Sequence, residues 1–282
     1  MRIDAHQHFW NYQPDRDHWI TDEMSILRRD YLPVSLYPLL VENSIDGCVA
    51  VQADQSLEET RFLLSLAEKH DWIKGVVGWV DLESNTLPDQ LEEFSNELKL
   101  VGFRHILQAE PNGKMTNPRF VEGVNLLGQY DFTYDLLIYH DQLDEAIGFV
   151  SGITTPVVLD HFGKPDIQSG QLASWKSGLN ELAQRENVTI KLSGLVTEAD
   201  WENWSVEALQ PYFDAVLEAF GTDRIMFGSD WPVCLLASTY TQWIETVEVL
   251  ISGLSSKEKD MITGENAIRF YNLNKGVHGP QA

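Results

Sequence analysis

The sequence predicts an α/β fold, a (β/α)8 barrel that forms a single domain over residues 1–282. Three observations predict it. Eight short, mostly apolar runs recur along the chain, as expected of strands covered on both faces by helices. Segments with apolar residues three and four apart separate them. No linker, low-complexity stretch or break in composition divides the chain. Alternating strand and helix implies parallel strands with right-handed crossovers. Eight such units in 282 residues favour a closed barrel. An open doubly wound sheet is the alternative, but no glycine-rich dinucleotide fingerprint follows any strand.

The strand-like runs cover residues 3–8, 47–51, 75–80, 100–104, 132–136, 156–160, 188–192 and 224–227. Ser56 and Glu59 form a capping-box pattern ahead of a helix carrying Phe62, Leu63, Leu66 and Ala67. Residues 87–98 place Leu91, Phe94 and Leu98 on one helical face. Residues 206–220 do the same with Leu209, Phe213, Val216, Leu217 and Phe220.

Composition narrows the partners. The formal charge of −23 argues against nucleic acid and anionic membrane surfaces. Solubility accounts for most of that charge. No run approaches the roughly 18 apolar residues of a membrane span. The N-terminus shows no basic segment followed by an apolar stretch, so no secretory signal is expected. Cys48 and Cys234 lie far apart and read as free thiols of a cytoplasmic protein. Homo-oligomerisation stays open.

A barrel enzyme carries its site at the C-terminal ends of its strands. The first strand ends in Asp4, His6 and His8, which strict alternation puts on one side. Two imidazoles there suit a metal site, a proton-transfer site or both; a hydrogen-bonded surface pair is the plainer alternative. Arg104 and His105 end the fourth run. Arg104 offers a permanent planar cation for a carboxylate or a polarised carbonyl, or simply ties down a loop. Gln108, Glu110 and Asn112 follow. Asp135 lies in an apolar strand and needs a partner, expected to be a histidine or arginine. His140 reads as surface. His161 shares a face with Val157 and Leu159, which sends Asp160 the other way. It is the natural third nitrogen for His6 and His8. Lys164 could bind an anion. Lys191 and Ser193 share a face, and Ser193 could donate to substrate; no Gly-x-Ser-x-Gly elbow marks it as a nucleophile. Asp230 falls where a closed barrel would bring an acid to the histidines, and a carboxylate there can take a proton from water. Trp10, Trp79 and Trp231 could wall a sugar ring, with Gln52 and Gln108 reading its hydroxyls. Cys234 reads as packing.

These pieces together resemble the amidohydrolase superfamily. The resemblance runs from residues 4–10 (DAHQHFW) through GFRH, LDHFGKP, KLSG and MFGSDWPV to residues 264–271, nearly the whole chain. It is similar to the branch of sugar lactonases. The resemblance implies a distorted (β/α)8 barrel with His6, His8, His161, Asp230 and Arg104 as catalytic residues. It implies His105, Gln108, Ser193, Lys164, Trp231 and Trp10 around a lactone substrate. His6, His8, His161 and Asp230 would hold one divalent ion, zinc foremost, if a metal is used at all. The fifth run offers no lysine or histidine to bridge a second metal. The implied reaction is lactone hydrolysis with Asp230 as base. A metal-dependent decarboxylase of the same superfamily is the rival, and an inactive barrel serving as a scaffold is a third reading.

Overall fold

Eight parallel strands pair in chain order: β1 (Ile3–Gln7), β2 (Gly47–Val51), β3 (Ile73–Gly78), β4 (Leu100–Ile106), β5 (Thr133–Leu137), β6 (Val157–Leu159), β7 (Val188–Leu192) and β8 (Ile225–Phe227). This computed structural model describes residues 1–274; the rest of the expected domain, 275–282, lies outside the described residues. The barrel closes just past β8. There Asp230 N donates to His6 O and His8 N to Trp231 O, each at 2.7 Å.

Helices α1 (Pro33–Glu42), α2 (Leu57–Lys69), α3 (Leu87–Phe94), α4 (Pro118–Gln129), α5 (Leu143–Ser151), α6 (Leu172–Leu182), α7 (Val206–Phe220) and α8 (Tyr240–Leu250) lie between and after the strands. Short helices α9 (Ser256–Asp260) and α10 (Asn266–Phe270) follow, separated by a π-helical turn. Helix α2 begins where its sequence signal falls: Ser56 accepts from Glu59 N at 3.1 Å. The second half of the expected capping box is absent, because the Glu59 carboxylate accepts from Ala53 N instead. Helix α3 is shorter than its apolar period. The chain tightens at Ser95, whose N–H returns to Glu92 O, and Leu98 is left exposed.

Two apolar layers hold the strands. Cys48, Ala50, Val76, Phe103, Leu136, Val157, Leu159, Ile190 and Phe227 face the helices in the large core. Ile3, Ala5, Val49, Val51, Val77, Val158 and Met226 form a separate inner cluster with Ala267 and Tyr271. Burying a large aliphatic side chain stabilises by about 1.5–3 kcal/mol, so both layers contribute. The inner cluster fills the lower barrel and leaves the strand ends above it for polar groups.

Candidate active site

Asp4 does not join the histidines. Ile3 and Ala5 point into the barrel, so Asp4 points out, where it accepts from Ser229 N (2.8 Å) and Tyr240 Oη (3.1 Å). Burial pushes its carboxyl up to about 6. The pairing of β1 with β2 is irregular between Asp4 and Gln7. That break in alternation turns His6 inward beside Ala5.

A second break lies after β6. Val157 and Leu159 face the helices, and strict alternation would carry His161 out with them. The strand stops at Leu159, and His161 (φ 52°) and Phe162 (φ 56°) take left-handed backbone. Asp160 lies inside with Val158, because it is Val157 and Leu159 that face the helices, so it does not point away as expected; the turn then brings His161 inside beside it. Asp230 is also left-handed, at φ 57°. Such strain is sustained only where surrounding contacts fix the chain, commonly at functional sites.

The resulting cluster centres on Asp230 Oδ1. It lies 3.3 Å from His8 Nε2, 3.7 Å from His6 Nε2 and 3.9 Å from His161 Nε2. His6 and His8 approach each other at 3.2 Å through their Nε2 atoms. Burial drives both His6 and His161 below the ordinary imidazole range, His161 to about 4 despite the nearby Asp230 charge. Burial alone would raise Asp230, but His161, the hydrogen bond with His8 and the charge of His6 hold it well below the usual carboxylate range. Near neutral pH the centre is therefore a carboxylate facing neutral His6 and His161 rings.

Beneath it sits a layer of paired charges. Arg104 Nη1 lies 3.1 Å from Asp160 Oδ2 and 3.3 Å from His6 Nε2. Lys191 Nζ lies 2.5 Å from Asp135 Oδ2, 3.0 Å from Asp160 Oδ1 and 3.0 Å from His6 Nδ1. Burial opposes the Asp160 charge, but Lys191, His6 and Arg104 outweigh it and hold its carboxyl low. Asp135 thus finds a lysine where a histidine or arginine was expected, and Tyr271 Oη donates to it at 2.9 Å.

Above the cluster opens a cavity of about 300 Å³. His8, Arg104, His161 and Asp230 form its polar floor; Gln55, Gln108 and Lys164 add polar walls, and Trp10, Trp19, Ile106, Leu137 and Val233 apolar ones. Three expected substrate residues do not line it. His105 faces outward, 2.8 Å from Glu110 and edge-on to Phe120. It neighbours Arg104 on an extended strand, so the two side chains point oppositely. Ser193 stands behind His161, 2.9 Å from its Nδ1. Trp231 packs edge-on against Phe9 and Tyr31. Trp79 reaches His105 and Gln52 clamps Arg104, so neither forms a wall. His140 is half-buried against Lys164 O rather than fully at the surface.

Sequence reasoning passed over Asp160, the charge partnership of Lys191, and the walls Trp19, Gln55, Ile106 and Leu137. Lys191 did carry a signal: a lysine inside an apolar strand raises the question Asp135 raises, and each answers the other.

The donor set bears on a divalent ion. His8 Nδ1 lies 2.8 Å from Val51 O, which only accepts, so its Nε2 lone pair is free. Ser193 can accept from His161 Nδ1, freeing that Nε2 as well. With Asp230 ionised, three donors fit a cation. His6, Asp230 and His161 also present ligand atoms within 4.8 Å of one another. His6 stands apart chemically, because cationic donors face both of its nitrogens.

Comparison with known proteins completes the picture. The amidohydrolase family profile matches residues 3–273. An L-fucono-1,5-lactonase of Burkholderia multivorans is 42% identical over 97% of this chain and 96% of its own. One from Burkholderia ambifaria is 33% identical over 98% and 97%. A crystal structure of a Burkholderia multivorans amidohydrolase with bound zinc superimposes with a TM-score of 0.94 at 41% identity, covering 96% of this chain and 99% of that one. A dihydroxybenzoic acid decarboxylase from Polaromonas, at 15% identity and a TM-score of 0.65, shares the fold alone. The match of strand order, closing turn and nearly full length places this chain in the amidohydrolase family.

Proposed function

We propose that this chain hydrolyses a sugar lactone, opening the ring to the free hydroxy acid. The observation that carries the reading is Asp230, an ionised carboxylate on the cavity floor ringed by three imidazole Nε2 atoms. Water gives a proton to Asp230 as its oxygen attacks the lactone carbonyl carbon, and the carbonyl oxygen takes up the electron pair. The tetrahedral species then collapses. The bond to the ring oxygen breaks, and Asp230 returns its proton to that oxygen. Arg104 keeps a permanent positive charge beside the forming oxyanion. A divalent ion held by His8, His161 and Asp230 would polarise the carbonyl and acidify bound water. The steps above use only the chain's own groups.

The cavity suits one small ring. Gln55, Gln108 and Lys164 line it together with the apolar set Trp10, Trp19, Ile106, Leu137 and Val233, a mixed lining that suits a sugar acid carrying both hydroxyls and hydrocarbon surface. The names of the Burkholderia relatives point to L-fucono-1,5-lactone, and we take a deoxy-sugar lactone of that kind as the substrate. Among the described residues no helix is long and apolar enough to cross a membrane. Both cysteines are free and buried, which suits the reducing cytoplasm.

The test is a pH-indicator screen of aldonolactones of varied stereochemistry, run beside a carbon dioxide assay on carboxylic acids. Acid release from a lactone that disappears in Asp230→Asn supports the reading. Carbon dioxide release without lactone opening overturns it in favour of a decarboxylase.

A further inference from the structure

Three charged side chains line the cavity: Arg104, Lys164 and Asp230. Alone, two cations and one carboxylate would favour an anionic ligand. Each cation, however, has a carboxylate behind it. Arg104 Nη1 holds Asp160 Oδ2 at 3.1 Å. Lys164 Nζ lies 3.3 Å from Glu198 Oε1, with 16% and 18% of the two side chains exposed. Lys191, deeper in the barrel, is matched by Asp135. The group therefore sets three cations against four carboxylates, with His6 and His161 neutral. One negative charge is left over, in a chain whose formal charge is already −23. Glu198 decides that sign, and it is not among the residues that line this cavity. It ends the helical turn after β7 (Val196–Glu198) and borders a neighbouring hollow with Asp166 and Asp200. It acts on the lactone side through Lys164, which is held from several directions. The Lys164 backbone is left-handed (φ 46°), its carbonyl accepts from His140 Nδ1 at 3.1 Å, and its Nζ sits 5.0 Å over the Tyr139 ring. Burial pushes the Glu198 carboxyl above its ordinary range, and Lys164 works against that.

We infer that Glu198 is a specificity-determining residue: from behind the cavity wall it cancels the charge of Lys164, so that the site discriminates against anionic ligands. Lys164 then serves the cavity as a hydrogen-bond donor to uncharged oxygens and not as an anion receptor. Two consequences follow for turnover. Lactones that carry a carboxylate of their own are excluded, and uncharged ones are accepted. Ring opening converts a neutral ligand into a hydroxy-acid anion beside Asp230, and the same field drives that anion out. These consequences rest on the lactonase reading; the charge preference does not, and its test uses ligands that do not react.

The experiment is titration calorimetry of chelator-treated protein at about pH 8, where carboxylates are ionised. The probes are L-fuconate, an aldonate anion, and L-fucose, a neutral ring of the same stereochemistry. Wild type should bind L-fuconate more weakly than L-fucose. Glu198→Gln keeps the shape and frees the Lys164 charge. It should tighten L-fuconate by about tenfold, the effect of one unit charge several ångströms away in a partly screened site, and change L-fucose by less than about twofold. Lys164→Gln added to it should return L-fuconate to the wild-type affinity, because the charges again differ by one. Lys164→Gln alone should weaken L-fuconate by a similar factor, and it carries the test if Glu198→Gln does not fold. A folded Glu198→Gln protein that binds L-fuconate no more tightly than wild type overturns the inference. So does a gain that persists in the double variant, or one shared equally by L-fucose, since either would make Glu198 a matter of shape. Failure of the lactonase reading appears separately, as absence of lactone opening with these binding differences intact.

Discussion

Gln52 and Arg104 hold each other from both ends. Gln52 Nε2 donates to the Arg104 carbonyl at 3.2 Å. Arg104 Nη2 donates back to Gln52 Oε1 at 3.2 Å and to the Gln52 carbonyl. The clamp joins the ends of β2 and β4 and leaves Nη1 for Asp160 and the catalytic floor. A guanidinium on a flexible stem gains its direction from such partners.

Truncating the clamp should therefore cost chemistry as well as stability. Gln52→Ala leaves a buried guanidinium with unfilled donors, worth about 1–3 kcal/mol of folding stability. It also frees Arg104 to drift, and a misplacement on the order of 1 Å can cost about 100-fold in rate. The expected outcome is a folded protein whose kcat falls more than its KM rises. Steady-state kinetics with urea unfolding decide it; wild-type kcat in a destabilised protein would mean that Arg104 needs no aiming.

Asp230→Asn preserves shape and removes the base. Loss of a general base typically costs about 10²–10⁴-fold. The expected outcome is loss of lactone turnover on that scale with an unchanged circular dichroism spectrum. Full activity in a correctly folded Asn variant would end the role given to Asp230.

Much of this arrangement was legible from residue order. The eight strands and the convergence of His6, His8, His161 and Asp230 follow from apolar runs with polar ends. What alternation could not supply were the places where alternation stops. Asp4 and His6 part company at the irregular pairing of β1 with β2, and His161 joins Asp160 inside because His161 and Phe162 are left-handed. Nothing in residues 160–162 of the chain announces such a backbone, since none is glycine; its side-chain partners come from distant segments, Ser193 to His161 and Trp175 of α6 to the Phe162 carbonyl. The Lys191–Asp135 pair was half legible: two opposite charges sit in apolar strands, but sequence order does not say that β5 and β7 meet across the barrel interior.

Glycine at 194 is required by a neighbour and by its own backbone. At φ 67° it takes a conformation that side chains disfavour, and a Cβ would lie 2.6 Å from His161 Nδ1. Gly194→Ala must push the imidazole off Ser193 or distort the loop. The strain and displacement should cost about 1–3 kcal/mol of stability and lower kcat, because the pushed ring is one of those facing Asp230. Thermal melting with kinetics checks it. An alanine variant with wild-type melting temperature and kcat would show that the loop yields freely.

Glu59 gives the pH dependence a definite sign. It is buried at the start of α2, and burial pushes its carboxyl up to about 7 from an ordinary 4.5, against the hydrogen bond from Ala53 N and the charge of Arg16. The folded protein thus holds a proton on Glu59 that the unfolded chain has already lost. The contribution of Glu59 to folding stability is then fully present below pH 4.5, is lost as pH rises toward 7, and changes no further above it. A difference of 2.5 pH units corresponds to about 3 kcal/mol. Glu59→Gln keeps an oxygen for Ala53 N and does not titrate. The variant should match wild type near pH 4.5 and exceed it by up to that amount at pH 8. Urea unfolding of both proteins across this range measures the difference directly. A gap that stays constant with pH would show that Glu59 titrates alike in the folded and unfolded chains, and the buried start of α2 would then carry no ionisation cost.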